Sequence, residues 1–363
     1  MADSNADARL AGRRILITGA SSGVGLAAAT AFAREGAELV LVSRRADMAA
    51  KTPAGRGLAA VPVCADLADR DAAERAVREA VEALGGLDIV VSNAAAAVFG
   101  HLLEVEPDDF DRTVDVTFKG AVNVIRAALP HLRESRGVIV ATGSLMSRAP
   151  LPTWSSYASA KHALRGFLRS LQVEELEQGT GVRCTMVHPG PIDTPLFAHA
   201  TSGTGRTPRV PPDAYRPEVV AQALVEVAIS PRAEVVLGGE TKLMDMLNHY
   251  ARPVSDRVLM LIDRWYRSGD APAPEPGSLY RPADSPRPGG GIPSRDSLVA
   301  PLQLGRRMLP HPRTPFRLAR HLSAAGVRAA QLRSALLSPQ PERLPRPEQD
   351  GRPRRTEAAS ISL

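Results

Sequence analysis

Over the first two-thirds of the chain, short and almost wholly apolar runs alternate with longer segments whose apolar residues recur at helical spacing. RILITGA opens the series at Arg14, residues 23–35 carry a helical pattern, and AELVLVSRR is strand-like again. LAAVPVCAD, a helix over 69–84, LDIVVSNA, a helix from 107 to about 134 and GVIVATGS continue it. A long helix over about 156–177, the strand VRCTMVHPG, a helix from Pro217 and a last strand at EVVLGG complete it. Such alternation predicts βαβ units on a parallel sheet, and strands apolar at every position predict a sheet covered on both faces. Pro107 before Asp108 and Asp109, and Pro217 before Glu218, mark helix starts. Proline lacks an N–H that would be unpaired in a first turn, and acids there complement the helix dipole.

Composition divides the chain. Of the 363 residues, 44% are hydrophobic, enough for a substantial core, and the formal net charge is +6. That excess is local: residues 1–269 hold 30 Lys and Arg against 31 acids, whereas residues 270–363 hold 15 Arg, no Lys and 8 acids. The second stretch also carries 16 of the 31 prolines. The expected organisation is therefore one folded domain over 1–269 and a basic Pro/Arg-rich tail over 270–363, largely disordered. A chain ended near Gly269 is expected to keep its fold and its ligand. Within the tail, Leu318, Leu322, Ala325, Ala329, Leu332 and Leu336 recur at spacings of three and four, predicting one amphipathic basic helix over about 316–337. Its partner could be the domain itself, another protein or an anionic membrane, or it could be a weakly formed helix alone.

The charge does not indicate nucleic acid, because 4% aromatic residues leave no interleaved basic and aromatic surface. Cys64 and Cys184, each inside an apolar run, read as small buried hydrophobes and form no disulfide framework or zinc cage. His101, His131, His162, His188, His199 and His249 show no paired metal spacing, so no metal site is expected. The opening MADSNADARLAGR lacks the organisation of a secretory leader and no apolar stretch approaches the ~20 residues of a membrane span. A cytoplasmic protein is the expectation.

Two motifs carry chemistry. Thr18-Gly19-Ala20-Ser21-Ser22-Gly23-Val24-Gly25 lies between a strand and a helix, where glycines let backbone N–H groups approach a pyrophosphate at the helix's positive end. An ordinary βα turn is the plainer alternative for the glycines alone. Tyr157-Ala-Ser-Ala-Lys161 sets a phenol and an ammonium on one helix face, with Ser144 at a preceding strand end. A fixed cation favours the ionised phenol and brings a group of pKa ~10 toward useful acid–base catalysis.

With these residues in place, the chain from about residue 12 to 239 resembles a short-chain dehydrogenase/reductase of the oxidoreductase type. TGASSGVG matches the family's cofactor loop, Ser144, Tyr157 and Lys161 its catalytic set, and His188-Pro-Gly-Pro-Ile-Asp-Thr194 its motif after the sixth strand. The resemblance implies a doubly wound, seven-stranded parallel Rossmann-type sheet of order 3-2-1-4-5-6-7 with helices on both faces. It implies a nicotinamide cofactor held by Gly19, Ser21, Ser22, Gly23, Val24, Gly25, Asp66, Leu67, Asn93, Tyr157, Lys161, Pro189, Gly190, Ile192 and Thr194. Tyr157 would be the general acid and base, Ser144 would hydrogen-bond the reacting oxygen, and Lys161 would tune Tyr157 and hold the ribose. A homodimer or homotetramer is also implied.

Ser43 stands where an NAD site wants a carboxylate for the ribose 2′-hydroxyl, and Arg44 follows it, so NADP(H) is favoured over NAD(H). Two departures stand out: Ala95 replaces a family glycine, and Thr117 stands where the family has the asparagine of a proton relay, making Thr117 the fourth candidate catalytic residue. VFG, DVTFKG and PPDAYRPEVVAQALVEVA resemble most a bacterial-looking subgroup with a longer C-terminal region, in which threonine at this position is a familiar variant. Residues 201–212 read as a mobile substrate lid or a plain linker, and the apolar pattern at Met244 and over 258–262 as helices over the cleft. Two functions follow: interconversion of a small-molecule carbonyl and its alcohol, or a noncatalytic nucleotide-sensing or scaffold protein that uses the tail for interactions. A sugar-nucleotide epimerase fits the glycine spacing less well.

Overall fold

The computed structural model describes residues 8–45, 60–210, 214–269, 271–274, 277–281 and 288–289. In chain order its elements begin β1 (Arg14–Thr18), α1 (Gly23–Arg34), β2 (Glu38–Ser43), β3 (Ala60–Cys64), α2 (Arg70–Leu84), β4 (Ile89–Ser92) and β5 (Val98–Phe99). There follow α3 (Pro107–Val114), a π turn (Asp115–Lys119), α4 (Gly120–Ser135), β6 (Val138–Thr142), α5 (Ser155–Glu177) and β7 (Arg183–His188). The last are a one-turn α6 (Pro195–Ala198), β8 (Thr201–Ser202), α7 (Pro217–Ile229), β9 (Glu234–Val236), α8 (Gly239–Tyr250) and α9 (Arg252–Tyr266).

Alternate residues of each central strand feed different cores. Ile15, Ile17, Leu39, Leu41 and Val91 pack with Val24, Phe32, Val220 and Leu224 of α1 and α7. Leu16, Val40, Val42, Val90 and Ile139 pack with Val77, Ile125, Leu164 and Leu168 of α2, α4 and α5. Both faces being dry, the strands read as continuous apolar runs, and each such side chain contributes about 1.5–3 kcal/mol on burial. Seven strands pair in parallel in the order β3-β2-β1-β4-β6-β7-β9, which is the expected 3-2-1-4-5-6-7 when only members of this sheet are counted. Strand order reverses between β1 and β4, opening a crevice above their carboxyl ends.

Four local expectations are corrected. Edge strand β3, the outermost of the sheet, is exposed over much of its length, Cys64 included; Cys184 is buried, and burial pushes its thiol up to about 12. The helix expected from 107 to about 134 is interrupted by the π turn at Asp115–Lys119, the kind of irregularity that recurs at functional sites. Residues 201–212 are not wholly a loop: Thr201 and Ser202 pair in parallel with Val98 and Phe99. The packed body also continues past Gly269. Thr207 donates to the carbonyls of Ala271 (N, 2.9 Å) and Pro272 (Oγ1, 2.9 Å), and Ala273 N donates to Gly205 O (3.0 Å). The helix expected over about 316–337 lies outside the described residues. Among the described residues, no helix is long and apolar enough to cross a membrane.

Candidate active site

One pocket collects the loops that follow β1, β2, β3, β4, β6 and β7. Of the residues singled out from sequence, Gly19, Ser21, Ser22, Gly23, Val24, Arg44, Asp66, Leu67, Asn93, Ser144, Tyr157, Lys161, Pro189, Gly190, Ile192 and Thr194 all line it. Gly25 and Thr117 do not. A Cβ at Gly25 would stand 2.1 Å from the Gly19 carbonyl oxygen, so this glycine lets the first turn of α1 close on the loop beneath.

The loop is built for close approach. Gly19 has φ +65°, and a Cβ there would meet Ala94 Cα at 2.8 Å. Asn93 braces it from behind, its Nδ2 donating to the Thr18 carbonyl (3.2 Å) and its backbone N to Thr18 Oγ1 (2.9 Å). Ser22 begins α1 with extended backbone and makes no side-chain cap, so the positive end of a twelve-residue helix faces the pocket uncapped. That arrangement fits the pyrophosphate of a dinucleotide.

At the other end of the pocket, α5 sets Tyr157 and Lys161 one turn apart, 8% and 2% exposed. Lys161 Nζ lies 5.6 Å from the Tyr157 ring centroid and donates to the Thr142 carbonyl (2.7 Å). Burial lowers the Lys161 pKa to about 8. Burial also raises that of Tyr157, with a hydrogen bond from Ser144 opposing it. Desolvation, rather than the ammonium, thus sets the direction of the phenol's shift, and it favours the neutral form of Tyr157. Ser144 is fixed by its own loop: its Oγ accepts from Met146 N (3.1 Å) and its backbone N donates to Ser147 Oγ (3.0 Å).

Residues 13–204 match the protein family described as short chain dehydrogenase. The chain belongs to that family. It is an NAD(P)-dependent oxidoreductase, similar to an uncharacterised oxidoreductase, YxnA, of Bacillus subtilis at 34% identity over 276 residues, 73% of this chain and 77% of the relative. A short chain dehydrogenase from Burkholderia cenocepacia in complex with NADP is 31% identical with a TM-score of 0.55, covering 64% of this chain and 99% of that one. An alcohol dehydrogenase from the archaeon Thermococcus sibiricus, complexed with 5-hydroxy-NADP, is 28% identical with a TM-score of 0.54, covering 62% and 95%.

Several features of this dehydrogenase were not legible beforehand. The pocket beside Tyr157 is walled by Leu151, Trp154, Leu196, Phe197 and Tyr266. Trp154 sits at the centre of an aromatic cluster, with ring centroids 5.3 Å from Phe99, 5.7 Å from Phe197 and 6.1 Å from Tyr266. Tyr266 ends α9, which bears out a helix over the cleft in part; Met260 and Leu261 of the same helix are exposed. Behind Ser144, His188 is fully enclosed: its Nδ1 is 3.3 Å from the Ser144 carbonyl and its Nε2 3.8 Å from Glu234. Burial takes its pKa down to about 4, Glu234 opposing and Arg148 and Arg165 assisting. Asp66, expected among the cofactor-holding residues, is ion-paired with Arg112 and caps its own turn by accepting from Ala68 N (3.1 Å).

Thr117 occupies the π turn with no exposure at all. Its Oγ1 donates to the Ala96 carbonyl (2.9 Å) and accepts from Ala96 N (3.0 Å). The hydroxyl's only proton is therefore committed to a backbone clasp, away from the pocket wall where a relay would need it.

Proposed function

We propose that this dehydrogenase interconverts the carbonyl and alcohol forms of a small apolar substrate and favours NADP(H) over NAD(H). The observation that carries the reading is Tyr157, buried in the pocket that Ser144 also lines and one helical turn from Lys161. In the reductive direction the Tyr157 hydroxyl gives its proton to the carbonyl oxygen while the Ser144 hydroxyl donates a hydrogen bond to the same atom. The phenolate left behind is stabilised by the protonated Lys161, which the Thr142 carbonyl holds in place. In oxidation the same groups run backwards, Tyr157 accepting the alcohol proton. When bound, the nicotinamide supplies or takes up the hydride at the substrate carbon.

The glycine loop and the start of α1 would hold the pyrophosphate, and Lys161, Asn93 and the stretch Pro189 to Thr194 the nicotinamide half. Arg44 would hold a 2′-phosphate, with no carboxylate at Ser43 to repel it. The wall of Leu151, Trp154, Leu196, Phe197 and Tyr266 favours an uncharged substrate with an apolar body. Thr117 is left out of the proton path, since its proton is already used. On family resemblance and cysteine usage we take the enzyme to be cytoplasmic and a homodimer or homotetramer, of the subgroup with a C-terminal extension.

The test is turnover of NADPH by the purified full-length chain against ketones, aldehydes and quinones, beside the Tyr157→Phe variant. Activity on apolar carbonyls that the variant lacks supports the reading. A protein that binds NADPH yet reduces nothing in the panel would instead be the nucleotide-sensing alternative.

A further inference from the structure

Past Gly269 the chain doubles back along residues 199–207 and arrives at the nucleotide end of the pocket. Several contacts fix its path. A Cβ at Gly277 would stand 2.5 Å from Thr201 Oγ1, and Ser278 donates to the His199 carbonyl from its backbone N (2.8 Å) and its Oγ (3.0 Å). Leu279 is 1% exposed, seated against Ala96 and Val116, the residue whose peptide Thr117 clasps and the residue before Thr117. Tyr280 lies under the Arg112 guanidinium, 5.9 Å from its ring centroid.

The carbonyls of this stretch face Arg44. Its Nη1 donates to Leu279 O (2.7 Å) and its Nη2 to Ser278 O (2.6 Å), while both Arg44 and Ser278 line the pocket. A guanidinium has five N–H donors in one plane, so two anchored donors fix the plane and leave three to offer. An arginine at a free strand end must give up its side-chain freedom when it meets a ligand; one already held gives up less and presents a partly desolvated cation. That gain reaches only a ligand carrying an anion at this point.

Resting on the reading of this pocket as an NADP(H) site, we propose that residues 277–281 form the outer wall of its 2′-phosphate subsite. The Ser278 and Leu279 carbonyls preset Arg44, and Leu279 is the positioning residue that anchors them. Discrimination between NADP(H) and NAD(H) then depends on a segment more than two hundred residues away from Arg44 in sequence.

The experiment is fluorescence titration of the full-length protein with NADPH and with NADH, for wild type, Leu279→Ala, Arg44→Ala and the double variant. Leu279→Ala is expected to weaken NADPH by about fivefold or more and NADH by less, and to leave the NADPH/NADH ratio unchanged when Arg44 is already alanine. Leu279→Ile, which keeps the anchor, should restore the wild-type ratio. Should Leu279→Ala fail to fold, Tyr280→Ala, at a half-exposed position, is expected to move the ratio in the same direction by a smaller factor. An unchanged ratio, with both cofactors weakened alike, makes the strap a purely structural element and overturns the proposal. Tighter NADPH binding would make the carbonyls competitors of the phosphate and overturn it as well. A wild type without preference would remove the parent reading, and this proposal with it.

Discussion

The two ends of the pocket are built on opposite plans. At the chemical end Ser144, Tyr157 and Lys161 come from one strand end and one helix; Tyr157 and Lys161 are buried, and Ser144 and Lys161 are each held by a hydrogen bond to nearby backbone. At the nucleotide end Arg44, Asp66, Arg112, Ser278 and Leu279 come from widely separated stretches and meet through ion pairs and backbone carbonyls. The difference follows from what each end has to do. On the proposed mechanism, proton transfer needs a phenol fixed in place, and a 23-residue helix supplies it. Recognition of one anionic group needs a cation held at the right distance, which any part of the chain able to reach it can provide.

Removing the proton at the chemical end gives the largest expected effect. Tyr157→Phe should lower kcat by about 10²–10⁴-fold while the NADPH dissociation constant moves little, because one hydroxyl is lost and the packing stays. Steady-state rates beside a binding titration separate the two; equal losses in both would mean the phenol holds cofactor rather than proton.

Lys161 is a cost to the fold at neutral pH. Its pKa in the folded chain, about 8, lies below the ordinary 10.5, so the unfolded chain binds this proton more readily. The penalty is complete below about pH 8 and disappears as pH rises toward 10.5, amounting to about 3 kcal/mol from the size of the shift. Lys161→Met, similar in length and uncharged, should therefore gain stability relative to wild type at pH 7 and lose most of that gain by pH 10, while turnover is abolished. Urea unfolding of both chains at the two pH values reads the difference, from which contributions shared by the two proteins cancel. A gain independent of pH would show the ammonium is solvated after all.

At the other end, Arg44→Ala should cost about 1–3 kcal/mol of NADPH affinity, the worth of a charge-assisted hydrogen bond, and change NADH little. Equal affinities of the unmutated protein for the two cofactors would erase the contrast between a rigid chemical end and an assembled recognition end.

The same contrast decides what was legible. The alternation of strands and helices, the glycine loop and the Tyr157 and Lys161 pair stood out because their spacing is set by strand and helix geometry, which is periodic, whereas the order of the strands came from the family resemblance. The strap at Ser278 and Leu279 did not, because it acts through carbonyls every residue owns and lies in a Pro-rich stretch whose composition argues for no structure at all. Nor was the exposure of Cys64 visible: an apolar run marks a strand but does not say that the strand lies at an edge. The fate of Tyr157's pKa was missed because motif spacing reports neighbours, not the desolvation that outweighs them.

Thr117 lies between the two ends, and its expected effect is the smallest. Motif alignment made it a member of the proton relay; its hydrogen bonds make it a clasp on the Ala96 peptide, against which Leu279 also packs. Thr117→Val keeps the shape and removes the hydroxyl, leaving a buried N–H and carbonyl without their partner, at a cost of about 1–2 kcal/mol. Because the clasped peptide lies beside the strap, NADPH affinity should weaken slightly more than NADH affinity, while kcat at saturating cofactor stays at the wild-type value across the pH range. Urea midpoints, the two binding titrations and a pH–rate profile measure these separately. A fall in kcat with unchanged stability would return Thr117 to the chemical end, and with it the proton path that the Ala96 clasp argues against.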